Sequence, residues 1–425
     1  MDNYILGGTV PQFLDNETPN ALHRFRPLTA WLDARYDAGV DPYSKYTSSA
    51  IAPTIQAHGR RGDQFQGVNF ASQEYLSLST HPRVIEAAKQ AMDTYGVHSA
   101  GSAALMGNTL ASVELEKKIA AFTGFADCTL FPTGWSAGYG IIRTLVRPQD
   151  HVLIDILSHA CLHEGAQAAT GNVLVYPHLS NEGVERRLKR IRQNDAKNSI
   201  VVVTESTFSM DSDVPDIPDL QDICRAYGAT LVVDCAHDLG AIGETGRGYL
   251  EIQDCIGSVD VLMGSFSKTF ASNGGFVATN AKELKLGIRY TCGPHTFSNA
   301  MSPVNAATVG TCFDIVDSKE GALLRRKLMS NIILMRRLLR AEEFEILGKE
   351  SAIVPVILGS NAMSRLITKY TMESGGIVNL IEYPAVSKNT CRLRLQVMAN
   401  HTEDQIGQFV KILTQARARA QAELA

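Results

Sequence analysis

A lysine and an aspartate that each follow an apolar run hold the most reactive potential in this chain. Lys268 stands in GSFSKTFASNGG, just past the run DVLMGS, where small residues let backbone approach a ligand closely. Asp234 closes the run ATLVVD, and His237 follows it in the same short segment. Comparable polar residues come after other apolar runs: Thr133-Gly134-Trp135-Ser136 after CTLFP, His159 after HVLID, Ser209 after SIVVVTE, and Ser265 and Ser267 beside the lysine. An amine condenses with an aldehyde and, once burial lowers its pKa, serves as a base. A carboxylate at a buried strand end can keep a ring nitrogen protonated through a charge-assisted hydrogen bond. Backbone N–H groups at a helix start suit a phosphate. These groups match the aldehyde, ring nitrogen, phenolic oxygen and phosphate of pyridoxal 5'-phosphate (PLP), with Lys268 as the Schiff-base residue.

Such residues need a rigid scaffold, and the hydrophobic pattern supplies one. Strands are predicted at 128–132, 151–155, 199–205, 229–234, 260–265 and 275–279, most of them separated by stretches of helical length. Several of these runs are apolar throughout, as strands covered on both faces must be. The fold class is therefore α/β, with a mostly parallel central sheet flanked by helices. In such sheets ligands bind outside the carboxyl ends of the strands, where the polar residues above fall. THPRVIEAAKQAMDTYG reads as a helix capped by Thr80, with Pro82 in its first turn and Gly96 past its end, and a second helix stops at Gly124. Beyond residue 300, a long helical pattern, short strands at AIVPVIL and CRLRLQV and a closing helix form a smaller C-terminal α+β domain. The expected division is an N-terminal arm or subdomain over 1–60, lacking a core element, a large PLP-binding domain over 61–300, and the C-terminal domain over 301–425.

Composition narrows the partners. With 425 residues, 45% hydrophobic and 20% charged, the chain reads as a soluble globular protein. Forty basic against forty-four acidic residues give a net charge of -4, which leaves no electrostatic footprint for nucleic acid or an anionic membrane. The N-terminus lacks a basic segment followed by an apolar run, so a cytoplasmic protein with no integral membrane segment is expected. The eight cysteines have neither CxxC nor zinc-ligand spacing, and they read as buried reduced thiols with no metal site.

Several motifs in register resemble a known family. VVDCAHDLGAIGETGRG and GSFSKTFASNGGFV resemble the Asp-x-x-His and Ser-x-x-Lys blocks of the PLP-dependent α-oxoamine synthases. TESTFSMDSDVPDIPDL and DILSHACLHEGA resemble that family's Glu-x-x-Phe-Ser-Met-Asp and Asp-x-x-x-His-Ala-Ser blocks. YGVHSAGSAALMGNT and SGGIVNLIEYPAV look most like its serine palmitoyltransferase branch. The resemblance implies the type I fold of PLP-dependent transferases. It also implies decarboxylative condensation of an amino acid with an acyl thioester, carried on coenzyme A or a carrier protein, to give an α-amino ketone. By position, His159 would stack on the cofactor ring, Asp234 pair with its nitrogen, and Ser209 and His237 lie near its phenolic oxygen. Gly134, Trp135 and Ser265 would hold the phosphate, and Arg394 would bind the substrate carboxylate. Ser298 and Asn299 would reach the phosphate of a neighbouring subunit, implying a homodimer with shared active sites. The chain departs from the family at Gln73 and Glu74, at Asn299, and at Glu382-Tyr383, where bacterial members of the branch carry an arginine. These positions surround the amino-acid carboxylate and the phosphate, so the substrates are left open.

Two other readings stand beside this one. Another PLP enzyme of the same fold, an aminotransferase or a carbon–carbon lyase, uses the same cofactor groups. Gly134-Trp135-Ser136-Ala137-Gly138 also fits the G-x-S-x-G elbow of a serine hydrolase, with Ser136 as nucleophile, but that reading leaves Lys268 unexplained. His98, His163 and His178 read as surface or core residues. Arg392 is assigned to the strand face opposite Arg394, in a surface or salt-bridge role.

Overall fold

The computed structural model describes residues 2–425. The chain packs as two units, one of Met1–Gln73, Met210–Ser212 and Leu328–Ala425, the other of Glu74–Ser209 and Asp213–Lys327.

The second unit is built on a seven-stranded sheet. Its strands are Asp127–Phe131 (β1), His151–Asp155 (β2), Val173–Tyr176 (β3), Ile200–Glu205 (β4), Thr230–Asp234 (β5), Val261–Ser265 (β6) and Gly275–Thr279 (β7). They lie in the order β1-β7-β6-β5-β4-β2-β3, and β7 alone runs against the others. All residues of β4, β6 and β7 are buried, which accounts for their unbroken apolar runs. Helices Gly134–Leu145 (α1) and Ala160–Ala169 (α2) follow β1 and β2 and pack on each other. Ile141, Ile154, Leu162, Val201, Val232 and Met263 join in one core beneath them. Each such side chain contributes about 1.5–3 kcal/mol by leaving water. The edge strand β3 was not anticipated: its apolar run Val173–Tyr176 is only four residues long, and two of the four are exposed.

The helix Pro82–Tyr95 begins as expected but is capped by His81, whose ring accepts the Arg83 N–H, while Thr80 is exposed. Since Pro82 itself offers no N–H, a side chain directly before it is placed to meet the next donor.

In the first unit, residues before 60 do supply core, contrary to expectation: Trp31 is fully buried and Arg35 nearly so. Thr54–His58 and Gln64–Asn69 pair antiparallel, and Gly376–Ile377 adds a parallel strand to the latter. Ile353–Gly359, Cys391–Gln396 and Leu380–Ile381 form the second sheet of this unit. Among the described residues all eight cysteines are buried without a disulfide, and no helix is long and apolar enough to cross a membrane.

Candidate active site

A cavity of about 250 Å³ opens at the carboxyl ends of the sheet strands. Gly134, Trp135, His159, Asp234, His237, Ser265 and Lys268 all line it, together with Cys161, Glu205 and Ser267. Two larger clefts, of about 630 and 700 Å³, contain none of the residues that close these strands. Size does not choose the site here. The convergence of an amine, carboxylates and imidazoles does.

The start of α1 forms one wall. Thr133 and Ser136 cap it reciprocally: the Ser136 N–H donates to Thr133 Oγ1 at 3.0 Å and the Thr133 N–H to Ser136 Oγ at 3.1 Å. The first-turn N–H groups of Gly134 and Trp135 have no carbonyl one turn earlier and suit an anion. Backbone comes unusually close at this point. A Cβ on Gly134 would lie 2.5 Å from both Cβ and Oγ of Ser265, and a Cβ on Gly275 would lie 2.7 Å from the Gly134 Cα. The Ser265 and Ser267 hydroxyls are 2.8 Å apart. Ser136 is committed to the cap, since its hydroxyl also donates to the Thr133 carbonyl at 2.8 Å, and that use tells against a hydrolase nucleophile.

Carboxylates form the floor. Asp234, 6% exposed, ends β5 and accepts the Ala236 N–H at 2.8 Å. Burial pushes its carboxyl up from the ordinary range, while the positive charge of Lys268 draws it down. Glu205 ends the adjacent strand in register with Asp234. Burial first, and then repulsion from Asp234, drive its carboxyl well up. Two neighbouring buried carboxylates disfavour a second negative charge, and a cation between the cavity walls relieves that cost. A protonated pyridine nitrogen is such a cation, and a phosphate suits the α1 wall. The donor set and the glycine cradle therefore fit PLP, with Lys268 present to hold its aldehyde.

The histidines complete the cavity. His159 follows β2 and caps α2, its ring accepting the Cys161 N–H, and Trp135 meets the ring edge-on with centroids 5.8 Å apart. His237 Nδ1 lies 2.9 Å from the hydroxyl of the fully buried Tyr75. No site role was expected of Tyr75, Glu205 or Cys161. Glu205 carried a usable signal, because like Asp234 it closes a strand built on a run of valines, and it opens the Glu-x-x-Phe-Ser-Met-Asp block.

Other expected residues are not brought to this cavity. Ser209 is buried beyond β4 but does not line it. Glu74 turns inward to accept the Ser79 N–H at 2.9 Å. Ser298 and the exposed Asn299 lie outside the lining, and Asn299 bonds His98 at 3.2 Å. Gln73 and Arg394 belong to the first unit. There Arg392 and Arg394 both approach Met210, at its carbonyl (3.2 Å) and its sulfur (4.0 Å) respectively. Residues two apart share a strand face, so the opposite-face assignment of Arg392 was wrong. Its salt-bridge role holds, with Asp211 as partner, but it is buried. Glu382 is also buried, between Arg35 Nη2 at 2.9 Å and Arg365 Nε at 2.6 Å. His178 bridges Asp155 and Asp213 at 2.8 and 2.9 Å.

Comparison with known proteins bears on the family and the fold. The model of the family described as aminotransferase class I and II matches residues 66–413. An 8-amino-7-oxononanoate synthase of Geobacter sulfurreducens is 34% identical over 81% of this chain and 87% of its own. A 2-amino-3-ketobutyrate coenzyme A ligase of Escherichia coli K12 is 32% identical over 86% of this chain and 91% of its own. A serine palmitoyltransferase from S. paucimobilis, solved with a bound PLP-myriocin aldimine, superposes with a TM-score of 0.88 at 28% identity, covering 95% of this chain and all of that one.

Proposed function

This chain belongs to the aminotransferase class I and II family and, within it, to the PLP-dependent α-oxoamine synthases, and from that premise we propose that it condenses an α-amino acid with an acyl thioester to an α-amino ketone, releasing carbon dioxide and free thiol. The observation that supports this most is the convergence of Lys268, Asp234 and His159 in one cavity at the strand ends.

When bound, PLP supplies an electron sink that stabilises a carbanion at the amino acid's α-carbon. The chain's own residues prepare that chemistry. The N–H groups of Gly134 and Trp135 and the Ser265 hydroxyl would hold the phosphate at the start of α1. Asp234 would hold a proton on the ring nitrogen, its buried carboxylate gaining a cationic partner. His159 would cover the ring face, and His237, tied to Tyr75, would face the phenolic oxygen. Lys268 would carry the cofactor and, once displaced by substrate, use Nζ to take the α-proton. In this reading Arg394 binds the substrate carboxylate, and Ser298 and Asn299 serve the site of a second copy in a homodimer.

The substrates are proposed as a class, an amino acid and an acyl group on coenzyme A or a carrier protein, on the model of serine palmitoyltransferase. A panel of amino acids crossed with acyl thioesters tests this, with carbon dioxide and thiol measured together. Release of both only when both substrates are present is the expected result. Amino-group transfer to a keto acid without thiol release would make the chain an aminotransferase instead.

A further inference from the structure

His159 is held from two directions by groups that the mechanism above does not use. Its backbone N–H donates to Glu205 Oε1 at 2.5 Å, which sets the position of the residue at the start of α2. Its ring Nδ1 faces Cys161 twice, lying 3.3 Å from the backbone nitrogen and 3.0 Å from Sγ.

The direction of these contacts follows from chemistry. A backbone N–H can only donate, so Nδ1 accepts, and the proton of the neutral ring resides on Nε2. With Nδ1 an acceptor, the sulfur contact is an S–H donating to the same lone pair. Cys161 is suited to donate: burial first, and the nearby carboxylates of Asp234 and Glu205 second, push its thiol up and keep it protonated. The sulfur also has a dedicated seat. A Cβ on Gly138 of α1 would lie 2.5 Å from Sγ, so the glycine leaves the room that the larger atom needs.

Building on the placement of His159 in the PLP cavity, we propose that Cys161 is a positioning residue that locks His159 in its Nε2–H tautomer. The ring then offers a hydrogen-bond donor at Nε2, suited to a substrate carboxylate or thioester carbonyl oxygen, and offers no basic nitrogen there. Serine at position 161 would keep a donor on a shorter arm, whereas alanine would leave only the backbone N–H.

Nitrogen NMR of enzyme labelled in its histidine rings tests this, on the cofactor-free and the PLP-loaded protein, with His159→Gln to assign the signal. In the wild type, Nδ1 of His159 should resonate as an unprotonated nitrogen and Nε2 as a protonated one, in both forms. Cys161→Ala should move the two signals toward each other and slow condensation roughly two- to tenfold, the worth of one neutral hydrogen bond. Cys161→Ser should restore both. A proton on Nδ1 in the wild type, or an alanine variant with unchanged signals and turnover, would overturn the proposal. The cofactor-free spectrum reports the tautomer whether or not the proposed reaction is correct.

Discussion

Replacing Gly134 by alanine puts the proposed phosphate cradle under a load that can be worked out from the structure. The new Cβ would sit 2.5 Å from Cβ and Oγ of Ser265, against 3.4 Å for the near limit of ordinary contact, so about 0.9 Å must be found. Ser265 Cβ is fixed to strand β6 and cannot rotate away, and Gly275 also lies close against Gly134. The start of α1 must therefore lift off the strand ends. Overpacking of this kind costs about 1–3 kcal/mol of stability. A shift of about 1 Å also takes at least one charge-assisted hydrogen bond away from a phosphate, worth about 1.5–3 kcal/mol, which weakens PLP binding on the order of 10- to 100-fold. Titrating cofactor-free protein with PLP measures the affinity, and thermal melting of the same sample measures the strain. Adding Ser265→Gly removes the colliding atoms and should recover the melting temperature but not the affinity, because the Ser265 hydroxyl is then gone. Wild-type PLP affinity in Gly134→Ala would refute the assignment of this helix start to the phosphate.

Ser136→Ala should cost about 0.5–1.5 kcal/mol by removing the Ser136 hydroxyl's half of the α1 capping box, and should leave the condensation rate near wild type; a loss of a thousandfold or more would bring back the serine-nucleophile reading. Glu382→Gln should destabilise the protein by about 3–5 kcal/mol in chemical denaturation, because it leaves Arg35 and Arg365 buried without their shared carboxylate; a change under about 1 kcal/mol would show that the pair is not a structural anchor. Burial opposes a charge on His178, but Asp155 and Asp213 outweigh it and raise the imidazole to about 9. Its folded pKa lies above the unfolded value of about 6.5, so its stabilisation is complete below that pH and is lost as pH rises through 9. Wild-type stability should fall across that window by on the order of 1–2 kcal/mol more than His178→Gln does, and parallel pH profiles would contradict the ion pair.

The sheet was legible because each central strand is buried on both faces and so reads as an unbroken apolar run closed by a polar residue. That rule located β1, β2 and β4 to β7 to within a residue or so at either end. β3 was missed although Val173–Tyr176 is such a run, because four residues are few for a strand, and the rule failed at 54–58 and 64–69, where glutamine and threonine alternate with apolar residues and dilute the signal. In the cavity, Lys268, Asp234, His159 and His237 could be found because each follows a strand. Tyr75 could not, since it meets His237 from a segment 162 residues away and no local pattern announces the pairing. Cys161 was hidden for a different reason: a buried cysteine is usually inert packing, and only the ring nitrogen beside it gives the thiol a task. The misplacement of Arg392 came from applying strand alternation to residues two apart, which share a face.

Every role assigned to the cavity depends on Lys268 as the attachment point of PLP at the strand ends. Borohydride reduction of the PLP-loaded enzyme, followed by peptide mapping by mass spectrometry, tests it most directly. A single pyridoxyl-modified peptide containing Lys268 is expected, with loss of the visible absorbance band and no label in Lys268→Ala. Label on a different lysine, or a protein that takes up PLP equally well and is labelled equally without Lys268, would contradict it.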